Sequence, residues 1–173
     1  LPVDAMEADG WIGEFLDKLG GGAQMSEVSP PATFNGELRP YQVKGLSWLA
    51  FLTQLGLGAC LADDMGLGKT IEFIALMLHE RAERVRKSSP GPSLLVCPMS
   101  VVGNWQKEIE RFAPHLKVMV HHGAARLSGL AFAREARKHD IVISTYALAQ
   151  RDERFFSGVR WERVALDEAQ NIK

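Results

Sequence analysis

Apolar residues fall along this chain in short blocks, and the spacing within the blocks switches between two kinds. From Asp9 to Leu19, Trp11, Ile12, Phe15, Leu16 and Leu19 recur at helical intervals, and Gly20-Gly21-Gly22 closes the segment. The stretch Ala23 to Asn35 carries Pro30-Pro31 and no period, which predicts a loop. Residues 1–35 therefore read as an N-terminal helix and linker, ahead of one larger domain at 36–173. The helix has two readings, one that packs it on that domain and one that gives it to a partner. The next helix is predicted to start at Pro40, a residue suited to a first turn. Val43, Leu46, Leu49, Phe51, Leu52 and Leu55 form its buried side, and Gly56 is its stop.

From there short apolar runs alternate with helical patterns. Runs at Ala59–Ala62, Leu94–Cys97, Lys117–His121, Ile141–Thr145 and Arg163–Asp167 predict five strands. Helices are predicted between them. The first runs from Thr70 to about Val85 with Ile71, Ile74, Met77 and Leu78 inward, and Lys87–Pro92 breaks the pattern after it. The others are Val101–Phe112, with Val102, Trp105, Ile109 and Phe112 inward, then Gly129–Lys138 and Ala147–Phe156. Strands that are apolar throughout are buried on both faces, as in parallel sheets covered by helices. The fold class is α/β, a doubly wound and mainly parallel sheet.

Length and composition fit one domain with a real core. The chain has 173 residues, 46% of them hydrophobic and 24% charged. No apolar run reaches the roughly 18 residues of a membrane span, so no membrane partner is expected. The first ten residues lack the basic start of a signal peptide. Cys60 and Cys97 lie in apolar runs and read as free buried thiols. The formal net charge of −1 offers no global argument for nucleic acid, whose binders are often strongly basic. Any such argument must come from particular residues.

The turn Asp64-Met65-Gly66-Leu67-Gly68-Lys69-Thr70 joins a predicted strand to a predicted helix. Such a turn aims backbone N–H groups and a helix N-terminus at one point, which suits phosphate. Lys69 can reach the β and γ phosphates of a nucleotide, and the Thr70 hydroxyl can ligate Mg²⁺. The general phosphate-loop pattern has glycine six residues before the lysine, where this chain has Asp63. Asp167-Glu168-Ala169-Gln170 ends the fifth predicted strand, and ligands of such sheets bind beyond the carboxyl ends of strands. Alone, the pair reads as a helix-capping aspartate and an exposed glutamate. Beside the phosphate loop, Asp167 can hold Mg²⁺ through water, and Glu168 can polarise the water that attacks the γ-phosphate. Upstream, Gln42 offers the paired donor and acceptor that match an adenine edge, and it also reads as a solvated helix residue.

Together these stretches resemble the Swi/Snf-type superfamily-two ATP-dependent DNA translocases. Leu38-Arg39-Pro40-Tyr41-Gln42-Val43-Lys44-Gly45 is similar to that family's adenine-reading Q motif. Leu61-Ala62-Asp63-Asp64-Met65-Gly66-Leu67-Gly68-Lys69-Thr70 is similar to its motif I, in which an aspartate at 63 is usual. Val96-Cys97-Pro98-Met99-Ser100 with Asn104-Trp105 is similar to motif Ia, Ser144-Thr145-Tyr146 to motif Ib, and Asp167-Glu168-Ala169-Gln170 to motif II. The resemblance covers Leu38 to Lys173 and implies a first RecA-like P-loop lobe, C-terminally incomplete.

What the resemblance implies is specific. ATP and Mg²⁺ are the cofactors. Arg39, Gln42 and Asp64–Thr70 (Met65 and Leu67 included) contact the nucleotide. Glu168 and Lys69 act in catalysis, and Thr70 and Asp167 hold the metal. Pro98, Ser100, Asn104, Ser144 and Thr145 lie near double-stranded DNA, and hydroxyls, amides and helix N-termini are common phosphate donors. Trp105 reads as core, Ser144 and Thr145 also as helix caps, and Arg134, Arg137 and Lys138 as a solvated face. Implied partners are a duplex, a second RecA-like lobe of the same protein and a DNA-bound protein. The implied location is cytoplasmic and nucleoid-associated in a bacterium, nuclear in a eukaryote. Motif III and the second lobe with its arginine fingers are not among these residues. Arginine fingers account for about 10³–10⁵ in phosphoryl-transfer rate, so the 173 residues alone are expected to be a very poor ATPase. The family's motif III strand lies between those of motifs I and II, so a gap with unpaired backbone is expected at the sheet's centre. A strand-separating RNA or DNA helicase lobe and a non-catalytic nucleotide-responsive module are the competing readings. Lys69, Thr70, Asp167 and Glu168 together argue against the second.

Overall fold

A computed structural model describes residues 25–64, 66–85 and 91–172. The predicted helix at Asp9–Leu19, Met65 and most of the predicted break at Lys87–Pro92 lie outside them. The chain divides into two compact units, one of residues 25–30 and 37–76 and one of residues 31–36 and 77–172.

The first unit is built on helix α1, Pro40–Gln54. Pro40 opens it, and the Arg39 N–H donates to Gln42 Oε1 at 2.9 Å, half of a capping box. Leu46, Leu49 and Ala50 are buried, while Phe51, Leu52 and Leu55 are half-buried. At its far end the Leu57 N–H reaches back to the Leu52 carbonyl, with Gly56 at φ 75°. Helix α2, Lys69–Val85, begins one residue before the predicted start and continues from the first unit into the second.

Two expectations fail between these helices. Ala59–Ala62 is not a strand; it runs as irregular chain. A strand is held by its ladder bonds, and none of the four strands among the described residues pairs with this run. With no partner, an apolar run has no reason to stay extended and buried. For the same reason Cys60 is exposed rather than buried, while Cys97 is a buried free thiol as expected.

The second unit holds a four-stranded, all-parallel sheet. Its strands are β1 (Ser93–Cys97), β2 (Val118–Val120), β3 (Ile141–Thr145) and β4 (Arg163–Leu166), in the order β2-β3-β1-β4. Leu95 lies in register with Ile143 on one side and Ala165 on the other. Every residue of β1 and β3 is buried. Leu94, Val96 and Val142 pack into a cluster with Phe132, Ala133, Ala136, Phe156 and Val159. The alternating residues Leu95, Ile141 and Ile143 are equally buried, so both faces are covered. The sheet edges differ from the uniform burial expected of them. β2 is half-buried, and β4 leaves Val164 and Leu166 exposed.

Around the sheet run α3 (Val102–Phe112), α4 (Gly129–Ala136), α5 (Tyr146–Arg151) and α6 (Glu153–Ser157). A single 3₁₀ turn, Met99–Val101, precedes α3. The helix predicted over Ala147–Phe156 is therefore two helices that break at Asp152, whose side chain is turned inward. Ion pairs from Arg163 to Glu80 and from Arg81 to Asp140 tie the second half of α2 to β4 and to the start of β3. Part of the predicted linker is docked rather than loose: Phe34 is buried and stacks on Phe112, and the Asn35 N–H donates to the Phe112 carbonyl.

Candidate functional site

The phosphate-loop turn sits where the sequence expected it, directly before α2. Gly66 and Gly68 have φ of 85° and 89°, a region that L side chains rarely enter. Gly68 is needed twice over, since a Cβ there would stand 2.4 Å from Gln42 Nε2. The Lys69 ammonium donates to the carbonyls of Asp63 at 2.6 Å and Asp64 at 3.0 Å. The cation thus holds the turn closed on itself. Glu72, Ile71 and the Gly68 carbonyl form the first bonds of α2, through the Ile71 and Glu72 N–H groups at 2.9 and 3.2 Å.

The upstream motif is fastened to this turn. Gln42 is 5% exposed, and its Nε2 donates to the Leu67 carbonyl at 3.0 Å while its Oε1 accepts from the Arg39 N–H. The Tyr41 hydroxyl donates to the same Leu67 carbonyl at 3.1 Å. Gln42 is therefore no solvated helix residue, and the turn's shape depends on it.

Behind the turn lies Glu72, which the sequence did not single out. Its side chain is fully buried, and neither carboxyl oxygen has a hydrogen-bond partner among the described residues. Burial first, and then the negative charge of Asp63, push its pKa from 4.5 to about 7, against the pull of Lys69.

The acidic pair belongs to the second unit. The Asp167 N–H donates to the Val96 carbonyl at 2.9 Å, so β4 pairing delivers the aspartate to the carboxyl end of β1. Asp167 Oδ2 accepts from the Trp105 indole N–H at 2.7 Å, and the Asp167 carbonyl accepts from the Tyr146 hydroxyl at 2.8 Å. The Asp167 charge, after burial, helps to push the Cys97 thiol up to about 11 and raises the Tyr146 phenol as well. Glu168 takes a left-handed backbone, φ 53° and ψ 51°, the one such non-glycine among the described residues. Its carboxylate accepts from the Gln170 amide. A left-handed backbone is strained for a residue that carries a side chain.

The residues expected near DNA split into two sets. Pro98 precedes the turn Met99–Val101, Ser100 is exposed within that turn, and Asn104 is exposed in the first turn of α3. Ser144 and Thr145 are buried at the end of β3, where Ser144 Oγ donates to the His121 carbonyl at 3.4 Å. Thr145 makes no side-chain capping bond to α5.

A second polar cluster also escaped the sequence reading. His121 is fully buried, with Nε2 at 2.9 Å from Asp152 Oδ2. Arg126 grips the same carboxylate through Nε at 2.6 Å and Nη2 at 3.2 Å. The Arg126 and His121 hydrogen bonds hold Asp152 down to about 2 despite its burial. Phe132 and Phe156 meet the His121 ring edge-on.

As to metal, Thr70 and Asp167 offer a hydroxyl and a carboxylate, hard oxygen donors of the kind Mg²⁺ takes alongside phosphate and water. Asp167 Oδ1 has no protein hydrogen bond among the described residues, while Oδ2 is fixed by Trp105. No cluster of three or more histidine, cysteine, aspartate or glutamate side chains placed to hold a metal ion exists among the described residues. No helix of the described residues is long and apolar enough to cross a membrane.

Comparison with known proteins identifies the family of the chain. Residues 41–173 match the SNF2-related domain. The chain is 46% identical over 158 residues to the putative ATP-dependent helicase/translocase YwqA of Bacillus subtilis, an alignment covering 91% of this chain and 17% of that protein. It is 38% identical over 156 residues to the chromatin-remodeling ATPase INO80 of Homo sapiens, covering 85% of this chain and 10% of that one. Among solved structures, the Sulfolobus solfataricus SWI2/SNF2 ATPase core in complex with dsDNA superposes with a TM-score of 0.70 at 40% identity, over 84% of this chain and 29% of that one. The chain thus spans a minor part of each of these relatives.

Proposed function

We propose, from the premise that this chain belongs to the SNF2-related domain family, that it is the ATP-binding lobe of a double-stranded-DNA translocase or remodelling ATPase. The whole protein couples ATP hydrolysis to movement along a duplex. The observation that carries this reading is the turn Gly66–Thr70: two left-handed glycines open α2, and Lys69 is already drawn over the turn.

In this reading Lys69 exchanges the Asp63 and Asp64 carbonyls for the β and γ phosphates, and the N-terminus of α2 faces the same anion. Gln42 fixes the turn through Leu67, and one amide N–H and one oxygen lone pair remain for an adenine edge. Arg39, Asp64 and Leu67 border the nucleotide. Thr70 and Asp167 are the side chains that would hold Mg²⁺, which would supply charge neutralisation at the phosphates. Glu168 orients the attacking water and accepts its proton, and Gln170 aims its carboxylate. Ser100, exposed in the turn before α3, and Asn104, exposed in the first turn of α3, face the duplex phosphates, with Pro98, Ser144 and Thr145 shaping the backbone beneath them. A second RecA-like lobe of the full-length protein completes the cleft.

The test is ATP turnover of the full-length protein with no nucleic acid, with duplex DNA and with RNA. Duplex stimulation is expected. Stimulation by RNA alone would overturn the translocase reading in favour of an RNA helicase. Lys69→Ala is expected to weaken nucleotide binding. Glu168→Gln is expected to bind ATP and lose turnover by at least about a hundredfold, the scale of general-base catalysis.

A further inference from the structure

We infer that Trp105 and Tyr146 are positioning residues that link the duplex-facing elements to Asp167, and so make ATP turnover respond to DNA. The inference rests on the proposed function, and it concerns how that site is regulated.

Trp105 does two things at once. Its ring is 5% exposed and shares the buried stripe of α3 with Val102, Ile109 and Phe112. Packing alone would account for the ring, yet phenylalanine would pack as well. The indole N–H is a donor with no other chemistry, and it ends 2.7 Å from a carboxylate oxygen of the expected metal ligand. A hydrogen bond to an ionised acceptor is among the stronger kinds. It fixes one oxygen of Asp167 and thereby the direction of the other.

The same helix turn presents Asn104 to solvent, one residue before Trp105. Within a helix, neighbouring residues share rigid backbone, so a load on Asn104 moves the indole with it. Tyr146 repeats the arrangement from a second element. It directly follows Ser144-Thr145, and its hydroxyl donates to the Asp167 main-chain carbonyl at 2.8 Å. Asp167 is thus held at side chain and backbone by two donors, one on the helix that exposes Asn104 and one next to the buried Ser144-Thr145 pair proposed to shape the backbone beneath the duplex contacts. Its remaining backbone tie, to the Val96 carbonyl, comes from β1, whose end leads into the same turn.

The test uses the full-length protein with Trp105→Phe and Tyr146→Phe, which remove an N–H and an O–H while keeping an aromatic ring. ATP turnover is measured with and without saturating duplex and as a function of Mg²⁺. Duplex binding without nucleotide and the thermal midpoint are measured alongside. Losing one charge-assisted bond should lower duplex-stimulated kcat about tenfold in Trp105→Phe. Half-saturation in Mg²⁺ should rise several-fold, and duplex binding should stay within about twofold. Tyr146→Phe, which loses a neutral bond, should shift the same quantities about threefold. If Trp105→Phe fails to fold, Tyr146→Phe decides alone. Stimulation and Mg²⁺ dependence like those of the parent overturn the inference. So does a uniform loss with and without DNA at unchanged Mg²⁺ dependence, the mark of a packing role. A parent that duplex does not stimulate removes the proposed function as well, whereas a stimulated parent with stimulated variants removes this inference alone.

Discussion

The Glu72 carboxyl rests against Gly45, so closely that a Cβ built at position 45 would stand 2.4 Å from Oε1. Glycine inside α1 costs about 1 kcal/mol relative to alanine, so Gly45→Ala on a free helix would stabilise. Here the buried carboxyl must move, and overpacking of this kind costs about 1–3 kcal/mol. Gly45→Ala is therefore expected to lower stability, and the same change in a Glu72→Ala background to be neutral or favourable. A double-mutant cycle by urea unfolding reads the coupling. Additive effects would show that the two residues do not meet.

Glu72 also makes stability depend on pH. Its folded pKa, about 7, lies above the ordinary 4.5. Well below 4.5 the carboxyl is protonated in both states and adds no pH dependence. Between 4.5 and 7 the unfolded chain releases the proton while the folded protein keeps it, so stability falls as pH rises. The full loss is on the order of 3 kcal/mol and is complete above pH 7. Glu72→Gln should flatten the thermal midpoint between pH 5 and 8 and raise it most at pH 8. An unchanged slope in that variant would mean that another group titrates.

What the sequence made legible was local. The start of α1 at Pro40, the buried runs of β1 and β3 and the turn before α2 each announce themselves within a few residues. Ala59–Ala62 looked like β1 by composition, but a strand is a pairing, and apolarity does not name a partner. Asp152 looked like an ordinary position in one helix because its partners lie 31 and 26 residues away. Spacing put Trp105 in the core and could say nothing of its N–H, whose acceptor is 62 residues distant. Glu72 was not singled out at all, because the glycine it rests against, Gly45, lies in another helix.

The two cysteines should separate cleanly by reactivity. Cys60 is exposed, and Cys97 is buried with its thiol pushed up to about 11 by burial and by the Asp167 charge. Thiolate is the reacting form, so at pH 8 a maleimide should modify Cys60 rapidly and leave Cys97 intact until unfolding. Peptide mapping after a short exposure reads this. Equal labelling at both positions would show that the end of β1 opens readily.

The Asp152 carboxylate anchors the break between α5 and α6, and its loss should cost more than an ordinary surface change. Asp152→Ala leaves the Arg126 charge and the buried His121 ring without their shared acceptor. Removing one member of such a pair destabilises the fold, because the other is left without its partner. Because the folded pKa is lowered to about 2 from 3.8, this contribution is fully present above pH 3.8 and fades as the pH falls towards 2. The gap between parent and Asp152→Ala in urea midpoint should therefore be constant from pH 5 to 7 and narrow below pH 4. A gap that persists at pH 2 would assign the effect to lost packing of the side chain rather than to its charge.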